Sequence, residues 1–323
     1  MAAAVAVVVA SHDRPVRLRW LLNALEEQTL ARDRWEVVVA HDSAGPDTEA
    51  LLAGHPLAAD GTLRHLSFAP GPGPAAKRNA GWRAATAPLI AFTDDDCRPP
   101  ADWLEQLLAV ADAHPGAVVQ GATQPDPDEL EIALHAPHAR TQAIAPPTPW
   151  GQTCNMLYPR AVLERADGFE EAFGLPAGED TDLLQRALEG GAEQVVAPGA
   201  VTYHAVEAGS LRESVRIAWR WQALPLVVRR HPQLRDLLPA RIFWKPRHAG
   251  LCAGLLGLLA ARRSPLLALL AWLPWIASAL PSYGSSPRGR VRAASELPGR
   301  LVVDAVEMAG VARGSLRHRT PLL

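Results

Sequence analysis

The feature that most constrains this chain is an alternation. Short apolar runs at 5–9, 36–40, 88–92 and 117–120, and a further expected strand near 63–68, are separated by segments with helical spacing at 15–28, 48–52, 75–85 and 101–114. Runs that are apolar on nearly every residue read as strands covered on both faces. Strand, helix, strand in that order predicts a parallel sheet with helices on both sides, because parallel neighbours need a crossover. In such sheets ligands bind beyond the carboxyl ends of the strands. Three of the runs end there in polar clusters: Ser11-His12-Asp13, His41-Asp42-Ser43 and Asp94-Asp95-Asp96.

The aspartates carry the most chemistry. Three adjoining carboxylates at one sheet edge repel one another and are costly unless a positive charge sits among them. A divalent cation, Mg2+ or Mn2+, takes oxygen ligands and leaves positions open for a diphosphate. The competing structural reading is an acidic turn ahead of Pro99, Pro100 and the helix at 101–114.

At 323 residues the chain exceeds one typical domain. The expected division is a catalytic domain at 1–235 and a helical, membrane-associated region at 236–323. A net charge of −2 provides no positive field to collect phosphates, which argues against nucleic acid as a partner. Cys97, Cys154 and Cys252 form neither a disulfide framework nor a zinc spacing, as suits a reducing compartment. The apolar start at 2–10 lacks a basic flank and is expected to be a first strand, not a signal peptide.

Beyond the alternation, 125–149 is rich in proline and polar residues and reads as a loop or flap. A short strand is expected near 154–158. Gly178-Glu179-Asp180-Thr181-Asp182 opens onto a helix reaching 188, and 195–204 is expected to be extended. The segment 210–230 has helical character and carries Trp219 and Trp221.

Apolar runs at 249–261 and 265–280 flank Arg262-Arg263. A helix over the first run spans about 20 Å, short of a roughly 30 Å hydrocarbon core. A re-entrant or interfacial hairpin on the cytoplasmic membrane face keeps these arginines, with Arg241, Lys245, Arg247, Arg288, Arg290 and Arg292, on one side of the bilayer. Trp272 and Trp275 suit the headgroup level. A buried hairpin in a soluble protein is the alternative. The tail at 301–312 has helical spacing and leads into Arg313, Arg317 and Arg319, consistent with a surface helix near anionic lipid.

Taken in order, several segments resemble the family 2 glycosyltransferases, over about 5–204. Val7-Val8-Val9-Ala10-Ser11-His12-Asp13-Arg14-Pro15 looks like the family's opening strand and turn, with Ala10 in place of a usual Pro and Asp13 in place of Asn. Glu36-Val37-Val38-Val39-Ala40-His41-Asp42-Ser43 looks like its second strand, with His41 where an Asp is usual. Lys77-Arg78-Asn79-Ala80-Gly81 resembles its Ala-Arg-Asn-x-Gly segment, and Thr93-Asp94-Asp95-Asp96 its Asp-x-Asp motif. Gly168-Phe169-Glu170-Glu171 and Gly178-Glu179-Asp180-Thr181-Asp182-Leu183 resemble its Gly-Gly-Phe-Asp-Glu and Glu-Asp segments. Trp219-Arg220-Trp221 partly resembles the Gln-x-x-Arg-Trp motif of processive synthases, with Ile217 in place of Gln.

The resemblance implies an α/β GT-A fold: a Rossmann-like, mostly parallel sheet with helices on both faces, here followed by a C-terminal helical apolar hairpin. It implies metal-dependent, inverting transfer of a sugar from a nucleotide-diphosphate sugar to an acceptor hydroxyl. Asp94, Asp96 and His204 are the expected metal ligands. Ser11, Asp13, Asp42, Arg78, Asp94 and Asp95 are expected on the nucleotide-sugar donor, with Arg78 near a helix N-terminus that favours anions. Asp180 is the expected base, with Glu179 beside it, although either Asp180 or Thr181 can equally be read as a helix cap. The implied acceptor is a glycan or lipid-linked molecule of the kind used for cell-envelope polysaccharide. A sugar-nucleotide-forming nucleotidyltransferase is the first alternative and lacks support from a Gly-rich basic turn after the first strand. A non-catalytic carbohydrate-binding relative is the second and would be expected to lose the carboxylates.

Overall fold

The computed structural model describes residues 3–173 and 176–323, so Ala2 of the apolar start lies outside the described residues. The chain forms two compact units. One comprises the residues up to Ile132 together with Arg140–Glu207, and the other Ala133–Ala139 together with Ala208–Leu323.

The first unit is built on β1 (Val5–Ser11), β2 (Trp35–His41), β3 (Leu63–Ser67), β4 (Leu89–Asp94), β5 (Cys97–Arg98), β6 (Val118–Pro125), β7 (Met156–Pro159) and β8 (Gln194–His204). They lie side by side in the order β3-β2-β1-β4-β7-β6-β8-β5. β1, β2, β3 and β4 run parallel, as the alternation demands. The register sets Ser11 beside His41 and Ala10 beside Asp94, so three polar clusters reach one rim.

The other half departs from a mostly parallel sheet. β7 is antiparallel to both β4 and β6, and β5 is antiparallel to β8, so the sheet is mixed. β7 follows a long connection with no crossover helix packed over the sheet, and an antiparallel neighbour requires none. The connection at 125–149 is also more ordered than a bare loop. It carries helices Pro127–Glu129 and Leu130–His135, and isolated bridges pair Thr123 with Ile144 and Arg140 with Glu207.

Helices cover both faces. Odd residues of β1, Val5, Val7 and Val9, pack with Leu18, Leu21, Leu22 and Leu25 of helix Pro15–Glu26 and with Leu104 and Leu107 of helix Trp103–Ala113. Even residues, Ala6 and Val8, pack with Ala75 and Trp82 of helix Pro74–Ala84 and with Leu183 and Leu184 of helix Glu179–Glu189. This is the period-two alternation of a strand read from both sides. Gly81 lets helix Pro74–Ala84 settle on the sheet, since a Cβ there would lie 2.5 Å from Val8 Cγ1.

The second unit is helical, with Leu211–Ala218, Leu224–Arg230, Pro246–Leu259, Pro265–Ala279 and Pro287–His318 as its main elements. The division falls after Glu207, where the sequence suggested 235. The change in composition near 238 marks the start of the apolar stretch, whereas packing ties 211–230 to the last helix. A Cβ on Gly314 would lie 2.2 Å from the carbonyl oxygen of Gln222. That last helix is much longer than the 301–312 stretch with visible spacing.

The two apolar runs form helices Pro246–Leu259 and Pro265–Ala279, packed by small residues. Added Cβ atoms would lie 2.6 Å from the Trp272 ring at Gly254, 2.5 Å from Ala271 Cβ at Gly257 and 2.7 Å from Trp275 N at Gly250. Apart from Leu251, which is buried against Trp275, their leucines point outward: Leu259 is 82% exposed and Leu266 65%. Among the described residues no helix is long and apolar enough to cross a membrane.

Candidate active site

The rim is assembled from strand ends. Ser11 at the end of β1 donates its hydroxyl to Asp95 Oδ2 at 2.8 Å, and the His12 N–H donates to the same oxygen at 3.3 Å. His12 Nδ1 lies 3.0 Å from Asp42 Oδ1. The Asp13 N–H donates to Ser43 Oγ at 3.0 Å, and Asp13 Oδ1 accepts from the Ala44 N–H at 2.6 Å. Asp13 thus joins the turn after β1 to the turn after β2. Its backbone adopts φ +50°, which Asp tolerates better than most residues.

Lys77 is the first residue that sequence reasoning missed. It is only 4% exposed, and its ammonium pairs with Asp42 and donates to the Ser11 carbonyl at 3.0 Å. Burial alone raises the Asp42 carboxyl, but hydrogen bonds from Lys77 and the Gly71 N–H outweigh it and hold it below the usual range. Lys77 stands beside Arg78 in the recognised segment, so its position was visible and its partner was not.

Arg78 sits differently from an open anion site. It is 6% exposed, donates from Nη2 to Asp94 Oδ1 at 2.8 Å and from Nη1 to Glu179 Oε1 at 3.2 Å, and lies over the Phe169 ring. One guanidinium therefore joins the end of β4 to the start of helix Glu179–Glu189. Arg78 Nε and Glu179 Oε2 are buried without a hydrogen-bond partner among the described residues. Burial and the neighbouring Asp180 push the Glu179 carboxyl up to about 8. Burial also raises Asp180, against the opposing pull of Arg78. Asp180 Oδ2 accepts from the Thr153 N–H at 3.4 Å.

Asp94, Asp96 and His204 converge, with ligand atoms all within 4.8 Å of one another. The pairing of β5 with β8 does this by setting Cys97 opposite His204. His204 Nδ1 faces the Ala205 carbonyl at 2.9 Å, so that nitrogen carries the proton and a neutral ring keeps its lone pair on Nε2. Nε2 lies 3.5 Å from Asp96 Oδ1. Both atoms can serve as ligands of one cation. Burial and the charge of Asp96 push the Asp95 carboxyl up to about 7. Two carboxylates and an oriented imidazole fit Mg2+ or Mn2+, with Mn2+ the more tolerant of nitrogen.

Further residues surround this triad. Arg14 reaches Asp96 Oδ2 at 2.5 Å, Asp95 Oδ1 at 3.5 Å and Glu207 Oε1 at 2.9 Å. Glu207 also pairs with Arg140. Gln142 Nε2 lies 3.2 Å from His204 Nε2. Arg14 lies in the recognised opening turn. Glu207 and Gln142 carry no motif, so no sequence signal pointed to them. The free thiols Cys97 and Cys154 are buried nearby, and burial pushes both up, away from nucleophilic use.

This mixed sheet with helices on both faces is an α/β fold of the GT-A type. Residues 6–166 match the family described as Glycosyl transferase family 2, and the chain belongs to it. The chain is 33% identical over 174 residues to a pre-mycofactocin glycosyltransferase of Mycobacterium tuberculosis, covering 50% of this chain and 36% of that protein. It is thus matched to little more than a third of that relative's length. It is 26% identical over 288 residues to a validoxylamine A glucosyltransferase of Streptomyces hygroscopicus subsp. jinggangensis, covering 76% of this chain and 64% of the relative. Among solved structures, the mannosyltransferase PcManGT from Pyrobaculum calidifontis, in complex with GDP-Man and Mn2+, superimposes with a TM-score of 0.57 at 21% identity, covering 99% of this chain and 88% of the other. TarS residues 1–349 from S. aureus, in complex with UDP-GlcNAc, give 0.53 at 16% identity, covering 99% and 93%.

Proposed function

We propose that this chain transfers a sugar from a nucleotide-diphosphate sugar to an acceptor hydroxyl, with inversion at the anomeric carbon and with Mg2+ or Mn2+ as cofactor. The observation that carries this reading is the convergence of Asp94, Asp96 and His204. These residues would hold the cation, which when bound supplies positive charge to the departing diphosphate. Ser11, Asp13, Asp42 and Asp95 form the donor side of the rim, with Lys77 neutralising Asp42. Asp180 takes the proton from the attacking hydroxyl as the new bond forms, which gives a single displacement. Arg78 ties Asp94 to Glu179, and its charge opposes the burial that raises Asp180.

The test is a screen of UDP-, GDP- and dTDP-sugars with Mn2+, with Mg2+ and with chelator. Metal-dependent donor turnover that Asp96→Ala abolishes is the expected result. Turnover indifferent to both chelator and Asp96→Ala overturns the metal assignment. A chain that instead joins a sugar phosphate to a nucleoside triphosphate is a nucleotidyltransferase.

We further propose that the second unit docks on the cytoplasmic membrane face through helices Pro246–Leu259 and Pro265–Ala279, so that the acceptor is lipid-linked or membrane-proximal. The support is the placing of glycines between the helices while all their leucines but Leu251 face outward. Small residues at a helix contact are typical of lipid surroundings, where leucine gains nothing by facing inward. Arg262 and Arg263 would reach the headgroups by snorkelling. Flotation of the full chain with anionic liposomes is the measurement. Recovery in the soluble fraction with and without liposomes would overturn the docking.

A further inference from the structure

We infer that Gln142 is a latch on the His204 ligand position, an amide donor that must leave before a cation can use that imidazole. The inference rests on reading Asp94, Asp96 and His204 as a divalent-cation site.

The argument begins with the ring. Nδ1 of His204 faces a carbonyl oxygen, which can only accept, so Nδ1 carries the hydrogen and Nε2 the lone pair. The side-chain nitrogen of Gln142 lies 3.2 Å from Nε2, and an amide nitrogen can only donate. The other end of the amide agrees with this orientation, because Gln142 Oε1 faces the Cys154 thiol, a weak donor, at 3.9 Å. Flipping the amide would set two acceptors against each other at His204. The lone pair that a cation needs is therefore occupied by a hydrogen bond.

Gln142 is carried there by a segment fixed on both sides. Arg140 and Glu207 exchange backbone hydrogen bonds at 3.0 and 2.9 Å, and Thr123 and Ile144 at 3.0 and 2.8 Å. Thr141 Oγ1 donates to the His204 carbonyl at 3.0 Å. The two carboxylate oxygens of Asp96 are divided in the same way. Arg14 holds Oδ2, and Oδ1 is the oxygen that faces His204 Nε2. The remaining ligand atoms of Asp96 and His204 thus point at one another, and Gln142 closes the imidazole side. Loading the site with a cation breaks the Gln142 bond. A cation that arrives with a diphosphate, bringing further oxygen ligands, is better able to displace it than a cation alone.

Gln142 is a positioning residue, and its effect is read on metal affinity without turnover. Mn2+ is titrated into the full chain and free Mn2+ is followed by electron paramagnetic resonance, with no nucleotide or acceptor present. Gln142→Met keeps the volume and removes the donor, and Gln142→Glu turns the donor into a further ligand. The expected result is about fivefold tighter Mn2+ binding in Gln142→Met, the worth of one neutral hydrogen bond, and a larger gain in Gln142→Glu. His204→Ala should lose this gain. Unchanged or weaker Mn2+ binding in Gln142→Met, with wild-type binding still dependent on His204, overturns the latch while the metal site stands. Wild-type Mn2+ binding that does not depend on Asp96 or His204 overturns the metal site and the latch together.

Discussion

Arg78 Nη1 donates to the buried Glu179 Oε1 at 3.2 Å, and the other terminal nitrogen of the same guanidinium holds Asp94 at 2.8 Å. A residue expected to meet a diphosphate therefore also connects the metal side of the rim to the carboxylates of helix Glu179–Glu189. Its positive charge opposes the burial that raises Asp180. The expected consequence is kinetic. A base must be ionised, so its activity is lost as pH falls through its pKa. Arg78→Met removes the opposing charge, so the acid limb of the kcat profile should move to higher pH. Turnover at fixed pH on that limb should drop about tenfold or more, and Arg78→Lys should restore part of the loss. A limb that stays in place would separate Arg78 from the base.

Asp180→Asn should retain donor binding and lower kcat by about 10²-fold or more, the usual scale for a positioned base. Isothermal titration with the donor and single-turnover rates separate the two effects. The product anomer, read by proton NMR coupling, should be inverted relative to the donor. Retained configuration would reject single displacement.

Lys77→Met should destabilise the first unit by about 3 kcal/mol, because it leaves Asp42 buried without its main counter-charge. Asp42→Asn in the same chain should recover much of that loss, since the uncompensated charge is then gone. Urea unfolding of the single and double variants measures the coupling.

Glu36 of β2 is a structural carboxylate with a pH signature. Its Oε1 accepts from the Thr86 hydroxyl at 2.8 Å and the Ala87 N–H at 2.9 Å, and Arg64 pairs with Oε2. Burial raises this carboxyl, but the Thr86, Ala87 and Arg64 donors outweigh it and hold it below the usual range. A depressed acid stabilises the fold above its unfolded pKa, and that stability is lost as pH falls through the folded value. Glu36→Gln should therefore cost about 2 kcal/mol near neutrality, and the difference from wild type should shrink as pH falls below the ordinary glutamate range. Thermal unfolding at several pH values shows whether it does.

Gly254→Val should disrupt the pairing of helices Pro246–Leu259 and Pro265–Ala279, because its Cβ would lie 2.6 Å from the Trp272 ring. An overpacked contact of this kind costs about 1–3 kcal/mol. The neighbouring Ala253 lies on the exposed side of the same helix, so Ala253→Val is the matched control and should be close to neutral. Circular dichroism melting distinguishes the two.

The sequence by itself determined the local elements and the identity of the rim. β-branched runs on β1 and β2, leucines at helical spacing in Pro15–Glu26, and polar residues after each strand are local signals, because strand and helix periods are written residue by residue. They were enough to place Ser11, Asp42 and Asp94 at strand ends. What only the tertiary structure decided were the pairings between distant segments. The antiparallel entry of β7, the pairing of Arg78 with Glu179, the Lys77 counter-charge on Asp42 and the approach of Gln142 to His204 each join residues far apart in the chain. Single side chains at such contacts leave no periodicity behind. Their partners are set by strand order and by the need to neutralise buried charge, and both exist only once the sheet has closed.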